Sequence, residues 1–363
     1  MHDLKKLLDS LSQDKKQIEE ISEYILYKNI KIGEGGSSSA FYGTDKNRNF
    51  EVAIKIENKK KALLCESLVL DNLNSIEKIP NKYLFISTKN RTILIQSIFG
   101  PTLKNLFSYQ KDNFDLWTIC EIGIQIVSIL RQIHAKNFIH NDIKPSNICW
   151  AKIKNGSLVD KDKVFLIDFG LSKKINCVNK DNIKKVEYEG KIISYDISHK
   201  NKNFEGTAKY MAIEKAKGFN SSKGTDLEEL LYTLIYLFKG SLAWDVSEDE
   251  EHKKNCLKQN KIKENYNVGI LCEGLPEEFI VITKYILNIK PTEEPCYNTI
   301  IKLLESAKNT VLPQNQKEAK FSFWKNINEK FSKYNNNSLY DTSNDEIKKI
   351  FGEIPIDKNT LLN

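Results

Sequence analysis

The sequence predicts an α+β protein of two lobes, a small β-rich one followed by a larger helical one. Two patterns predict it. From about residue 28 to 96 the chain runs in short stretches rich in Val, Ile and Phe, such as Phe50 to Ile56 and Thr92 to Ile98, bounded by Asn, Lys and Gly. Beyond Pro101 the apolar runs lengthen. Phe114 to His134 and Leu227 to Phe238 are apolar nearly all round, the mark of helices buried on every side.

In chain order, the first segment reads as a helix. Leu4, Leu7, Leu8 and Leu11 fall at i, i+3, i+4 and i+7 behind Asp3, and Ile18, Ile21 and Ile25 continue the stripe. A helix packed on its own domain is favoured over a docking helix. Within the β-rich lobe a single short helix is expected, around Ala62 to Leu73. Asn176 to Asn203 reads as an inserted, Lys-rich solvated loop. Near Pro313 the pattern breaks at a polar stretch. Trp324, Ile327 and Phe331, then Ile347, Ile350, Phe351 and Ile354, recur at helical spacing in a C-terminal extension without a chemical motif.

Composition narrows the classes. The 363 residues hold 55 Lys+Arg and 48 Asp+Glu, a net charge of +7, with 40% hydrophobic and 28% charged residues. That argues against global disorder. No uninterrupted apolar run reaches the roughly 18 residues of a membrane helix. Met1 to Ser10 alternates Leu with Lys and Asp and is not expected to be a signal peptide. The seven Cys are scattered without CxxC spacing, as expected of reduced thiols in the cytoplasm or nucleus. The positive charge is spread along the chain, so a solvated basic surface is favoured over a nucleic-acid groove, for which there is no direct sign. A monomer without a membrane partner is expected.

Four motifs carry chemistry. Gly33-Glu34-Gly35-Gly36, running on through Ser38 and Ala40, lies between two strand-like runs, where a glycine-rich backbone can approach phosphates. Val52-Ala53-Ile54-Lys55 ends a buried strand in a lysine that needs a counter-charge, which Glu66 on the following helix can supply. His140-Asn141-Asp142-Ile143-Lys144-Pro145-Ser146-Asn147 offers a base, a cation and a metal-ligating amide on one loop. Leu166-Ile167-Asp168-Phe169-Gly170 is an apolar strand ending in a carboxylate suited to Mg²⁺. Each is weak alone. In this order they form the protein-kinase signature set.

Residues Ile30 to about Ala307 resemble the casein kinase I and vaccinia-related kinase group. The resemblance rests on Phe99-Gly100-Pro101-Thr102-Leu103-Lys104-Asn105-Leu106-Phe107, Lys136 to His140, Gly206-Thr207-Ala208-Lys209-Tyr210, Asp226-Leu227-Glu228-Glu229-Leu230, and Gly240-Ser241-Leu242-Ala243-Trp244. It implies a bilobal protein-kinase fold and a kinase domain over 28–312, with a small lobe 28–96, a hinge 97–100 and a large lobe 101–312. Helical extensions would occupy 1–27 and 313–363.

The resemblance also implies roles. ATP and Mg²⁺ would be used, and Ser or Thr of protein substrates phosphorylated. Lys55, oriented by Glu66, would hold the α/β-phosphates. Asp142 would be the catalytic base, and Lys144, as in Ser/Thr kinases, would steady the γ-phosphoryl. Asn147 and Asp168 would hold Mg²⁺. Ile32, Gly33, Glu34, Gly35, Gly36 and Ala40 would cover the nucleotide. Ser97 and Phe99 would meet the adenine edge, Ala53 and Cys149 its faces, with Gln96 as gatekeeper. Asp226 would brace the catalytic loop from a buried helix.

The departures also speak. Ser38 stands for a third glycine, and Ala40 for a branched residue over adenine. Asn141 stands for the Arg of H-R-D, so activity is not expected to wait for activation-segment phosphorylation. Lys209 stands for an Arg that reads acidic substrates, and Ser247 to Glu251 is acidic. The alternative is a pseudokinase or scaffold. A kinase of small molecules is disfavoured by the G-T-A-K-Y element.

Overall fold

The structure is a computed structural model that describes residues 18–35, 38–48, 50–58, 62–110, 113–154, 157–175, 184–188, 191–195, 205–245 and 251–311. The strands begin with β1 (Ile18–Ile21), β2 (Tyr24–Glu34), β3 (Ser38–Asp45) and β4 (Glu51–Glu57). Helix α1 (Ala62–Leu73), β5 (Lys82–Ser87), β6 (Thr92–Ser97) and α2 (Leu103–Gln110) follow. Next come α3 (Leu116–Ala135), β7 (Phe138–Ile139), β8 (Ile148–Lys154), β9 (Ser157–Leu166) and β10 (Lys173–Lys174). A ribbon of β11 (Lys184–Tyr188) and β12 (Lys191–Tyr195) precedes α4 (Ile213–Ala216) and α5 (Lys223–Lys239). The last helices are α6 (His252–Asn265), α7 (Val268–Leu271), α8 (Glu277–Leu287) and α9 (Tyr297–Asn309).

These residues fall into two compact units. One takes the described residues up to 112 together with 145–170; the other takes 113–144 with 171–311. Within the first unit residues 99–102 pair with β8. Phe99 forms an antiparallel bridge with Lys152, and the Gly100 amide donates to the Ala151 carbonyl at 3.2 Å.

The first unit is built on a six-stranded antiparallel sheet in the order β1-β2-β3-β4-β6-β5. Ile21, Tyr24, Leu26, Val52, Ile54, Ile93 and Ile95 form one of its buried clusters. Here the sequence expectation fails: residues 18–27 are strand, not the end of a helical extension. The 3–4 spacing of Ile18, Ile21 and Ile25 imitates a helix. A tight turn intervenes, with Ser22 at φ 55° and Ile21 paired to Tyr24, so side chains alternate across the sheet instead. The helix at Ala62–Leu73 forms as expected, and its start is held by Glu57, whose carboxylate accepts from the Ala62 and Leu63 amides at 3.2 and 3.1 Å.

In the second unit α3 packs against α5 and α9. Asp115 caps α3 by accepting from the Thr118 amide at 2.8 Å, and Ser222 and Thr225 form a capping box at the start of α5. By length and composition α3 could cross a membrane, unlike the sequence expectation. It is largely buried within the second unit. The expected loop over Asn176 to Asn203 contains the β11–β12 antiparallel ribbon. The expected helices at Leu4–Leu11 and beyond Pro313 lie outside the described residues, as does Gly36.

Gly100 is where the chain tolerates no side chain. A Cβ there would lie 2.3 Å from the Trp150 carbonyl oxygen. Gly100→Ala must push the 99–102 segment off β8. We expect a stability loss of about 1–3 kcal/mol, read as a lower denaturant midpoint at unchanged slope.

Candidate functional site

Register brings one group of candidates onto a single face of the large sheet. Gly33, Ala40, Lys55 and Leu94 stand opposite one another across β2, β3, β4 and β6; Tyr42, Ala53 and Gln96 form the adjacent same-face row. The expected loop Gly33 to Gly35 therefore lies beside Ala40 and Lys55. Ile32 and Ala40 are partly covered, and Gly33, Glu34 and Gly35 are exposed.

Lys55 is the electrostatic centre of this unit. Its Nζ lies 2.7 and 2.9 Å from the two carboxylate oxygens of Glu66 and 3.4 Å from Asp168 Oδ1. Glu66 is fully buried on α1. Burial alone would push the Lys55 ammonium down. Asp168 and Glu66 overcome that and hold it above the usual lysine range. Burial pushes Glu66 in the opposite sense while Lys55 pulls it back. Burial leaves the Glu66 carboxyl above its usual range, and the bidentate contact with Lys55 limits that rise.

Asn147 and Asp168 flank the paired end of the β8–β9 ribbon, where Ile148 stands opposite Leu166 and the Ile167 amide donates to the Asn147 carbonyl at 2.9 Å. Asp168 holds φ 69°, an uncommon left-handed conformation for a non-glycine residue. Among the described residues no group of three or more His, Cys, Asp or Glu could hold a metal alone. One carboxylate and one amide suit Mg²⁺, which keeps waters and takes substrate phosphate oxygens instead of an all-protein cage.

The adenine candidates stand apart in chemistry. Phe99 is buried and stacks on Phe165 with ring centroids 4.5 Å apart, beside Cys149. Its side chain is thus part of a core cluster. Ser97 donates its amide to the Asn81 carbonyl at 3.0 Å, so a contact with a base would run through its own carbonyl. Burial pushes the Cys149 thiol up to about 12, so it stays protonated and behaves as apolar surface. Gln96 Oε1 is buried without a hydrogen-bond partner in the described protein.

The second unit carries the other candidates. Lys144 Nζ lies 2.7 Å from Asp142 Oδ2 and donates to Thr207 Oγ1 at 2.9 Å; Thr207 in turn donates to Asp142 Oδ1 at 3.3 Å. The sequence places Thr207 in a motif without revealing this contact. Behind them, Asp226 accepts from the His140 and Asn141 amides at 2.7 and 2.8 Å, as the resemblance implies. His134, which the sequence gives no reason to single out, bridges Asp226 at 2.9 Å and the Tyr297 hydroxyl at 2.8 Å.

Asn141 also holds positive φ, 72°, and its side chain ties three places together. Its Nδ2 donates to the Leu171 carbonyl at 2.9 Å and to Glu205 at 3.4 Å, and its Oδ1 accepts from Ser221 at 2.6 Å. Glu205 pairs with Lys173 at 2.6 Å. Lys209 pairs with Asp245 at 2.6 Å and lies over the Tyr236 ring, so its charge is already met within the chain.

The segment Gly206 to Met211 is held by a buried lysine. Lys263 on α6 donates to the Ala208 and Met211 carbonyls, both at 2.8 Å, and lies over the Tyr232 and Trp244 rings. Burial pushes Lys263 down to about 7, against the pull of Glu228 and Glu229. The unfolded chain then binds more protons than the folded one between about pH 7 and the usual lysine range near 10.4. Lys263 therefore lets stability rise with pH across that window. We expect Lys263→Met to flatten that rise, checked by denaturant melts of both proteins from pH 7 to 10.

With this geometry established, comparison with known families gives a match to one model, described as the protein kinase domain, over residues 26–308. The match covers more than three quarters of the chain and takes in both candidate groups, starting just inside β2. The chain belongs to the protein kinase domain family.

Proposed function

We propose that the chain is a serine/threonine protein kinase of the casein kinase I-like group, transferring the γ-phosphoryl of ATP to hydroxyls of protein substrates. The observation that carries the reading is the Lys55 ammonium shared by Glu66 and Asp168, residues from three separate stretches of sequence. Phosphoryl transfer needs positioning and charge stabilisation more than covalent chemistry. Lys55, fixed by Glu66, would bind the α/β-phosphates. Asp168 and Asn147 would hold Mg²⁺, which when bound neutralises phosphate charge. Ala53 and Cys149 would pack on adenine, with Gln96 at its rear edge and the Ser97 and Phe99 backbone along its polar edge. Ile32, Gly33, Glu34, Gly35, Gly36 and Ala40 would cover it.

Asp142 would accept the hydrogen bond of the substrate hydroxyl, which orients the attacking oxygen. Lys144 would steady the transferring group, and Thr207 aligns both side chains. A lysine at position 144, as in the Ser/Thr kinases the chain resembles, supports Ser/Thr over Tyr specificity. The group assignment is supported by contacts between the motifs that carry the resemblance. Trp244 Nε1 donates to the Lys209 carbonyl at 2.8 Å and packs edge-on to Tyr232. The Lys209–Asp245 pair weighs against a preference for acidic substrates.

The test is transfer of labelled γ-phosphate from Mg·ATP to casein and to the protein itself, followed by phosphoamino-acid analysis. Label is expected on Ser and Thr, and Asp142→Asn and Lys55→Met should each lower it by about 10²-fold or more. Well-folded protein that transfers nothing to these or broader peptide substrates would favour the scaffold reading. Label on Tyr alone would overturn the specificity.

A further inference from the structure

Two buried side chains reach the catalytic loop from opposite sides of Asp142. Glu229 on α5 accepts from the Ile143 amide through Oε2 at 2.9 Å. Its other oxygen pairs at 2.6 Å with Nζ of Lys215 on α4. Lys215 also donates to the carbonyl of Asn141. The peptide units before and after Asp142 are thus bound by one ion pair: the carbonyl on one side by the ammonium, the amide on the other by the carboxylate. Both side chains are almost fully buried, at 5% and 2% exposure.

The chemistry of this pair is directional. A carboxylate can only accept and an ammonium can only donate, and each faces a backbone group of the matching kind. An ion pair serving only to fill space would have no need of that match. The burial is also costly for the carboxylate: it pushes Glu229 up to about 7 despite Lys215, with Asp226 and Asp142 adding to the rise. Gly206 closes the arrangement. It holds φ 102°, and a Cβ there would sit 3.0 Å from Lys215 Nζ and 3.5 Å from Asp142 Oδ1. The segment that carries Thr207 is therefore seated directly on the clasp.

We infer that Lys215 and Glu229 form a positioning pair that fixes the backbone on both sides of Asp142 and thereby aims its carboxylate at the substrate hydroxyl. The inference rests on the role proposed above for Asp142. Both side chains are almost fully buried behind the loop, so their removal should act on turnover and leave the affinity for ATP alone.

Two independent readouts test this, amide hydrogen exchange at Ile143 and steady-state kinetics. In the parent, the Ile143 amide should exchange at least about 100-fold more slowly than in an unstructured chain. Exchange at unstructured rates overturns the clasp whatever the enzyme does. Lys215→Met/Glu229→Leu removes both charges together and leaves no unpaired buried ion. It should speed Ile143 exchange about tenfold or more while α5 core amides keep their protection, and lower kcat about tenfold at an ATP KM within twofold of the parent. Should that variant fail to fold, Lys215→Met/Glu229→Gln also leaves no unpaired buried ion and keeps an acceptor oxygen for Ile143. It should hold Ile143 exchange slow and lower kcat by about threefold or more through the freed Asn141 carbonyl, and parental kcat there would overturn the inference. Folded apolar variants with parental kcat and parental Ile143 exchange would overturn the inference. A parent that transfers no phosphate, with Ile143 protected, would instead refute the proposed activity and leave the clasp standing as a structural one.

Discussion

Asp226 lies fully buried in the first turn of α5 and accepts two consecutive backbone amides, His140 and Asn141, while pairing with His134. Burial opposes its charge, yet the hydrogen bond from His134 and the neighbouring amides hold its carboxyl below the usual range. Hydrogen bonds to a charged group are worth about 1.5–3 kcal/mol each, and a buried carboxylate that lost them would be costlier still. The peptide entering Asp142 has little freedom to move while this carboxylate is in place. The αL conformation of Asn141 is tolerable for the same reason, since an over-determined backbone can hold an unfavourable dihedral.

The rest of α5 extends the principle. Its first two turns carry three carboxylates, Asp226, Glu228 and Glu229, on a largely apolar helix. All three carboxylates are buried, and each satisfies a different stretch of backbone. Asp226 takes His140 and Asn141, Glu229 takes Ile143, and Glu228 takes the Ile213 amide at the start of α4 together with the Tyr232 hydroxyl. One rigid helix thus fixes the loop bearing Asp142 and the end of the segment bearing Thr207. In the other unit the same logic appears in smaller form, with Glu57 holding the start of α1, the helix that presents Glu66 to Lys55.

Much of this is legible in the sequence, for identifiable reasons. The helix around Ala62 to Leu73 and the buried helices around α3 and α5 are set by long apolar patterns. The Lys55–Glu66–Asp168 cluster is set by motif order. What escapes is local turn chemistry and long-range polar pairing. Ile18, Ile21 and Ile25 fit a helical period, and only the two-residue turn at Ser22 and Glu23 turns them into strands. The contacts of Lys215, Lys263 and His134 join residues 14, 55 and 92 positions away from them, and no spacing rule connects such positions. Thr207 is visible within G-T-A-K-Y, yet its hydrogen bonds to Asp142 and Lys144 depend on how the chain returns to the loop.

If the buried acids of α5 hold the loop in its working shape, turnover must depend on them. Asp226→Asn probes that dependence most directly, because it keeps size but turns one of the two accepting oxygens into a donor facing a backbone amide. Circular dichroism would establish the fold, and kcat and ATP KM would be measured against the parent. We expect kcat lower by about tenfold or more with ATP KM changed less than about threefold. A folded variant with parental turnover would contradict the dependence.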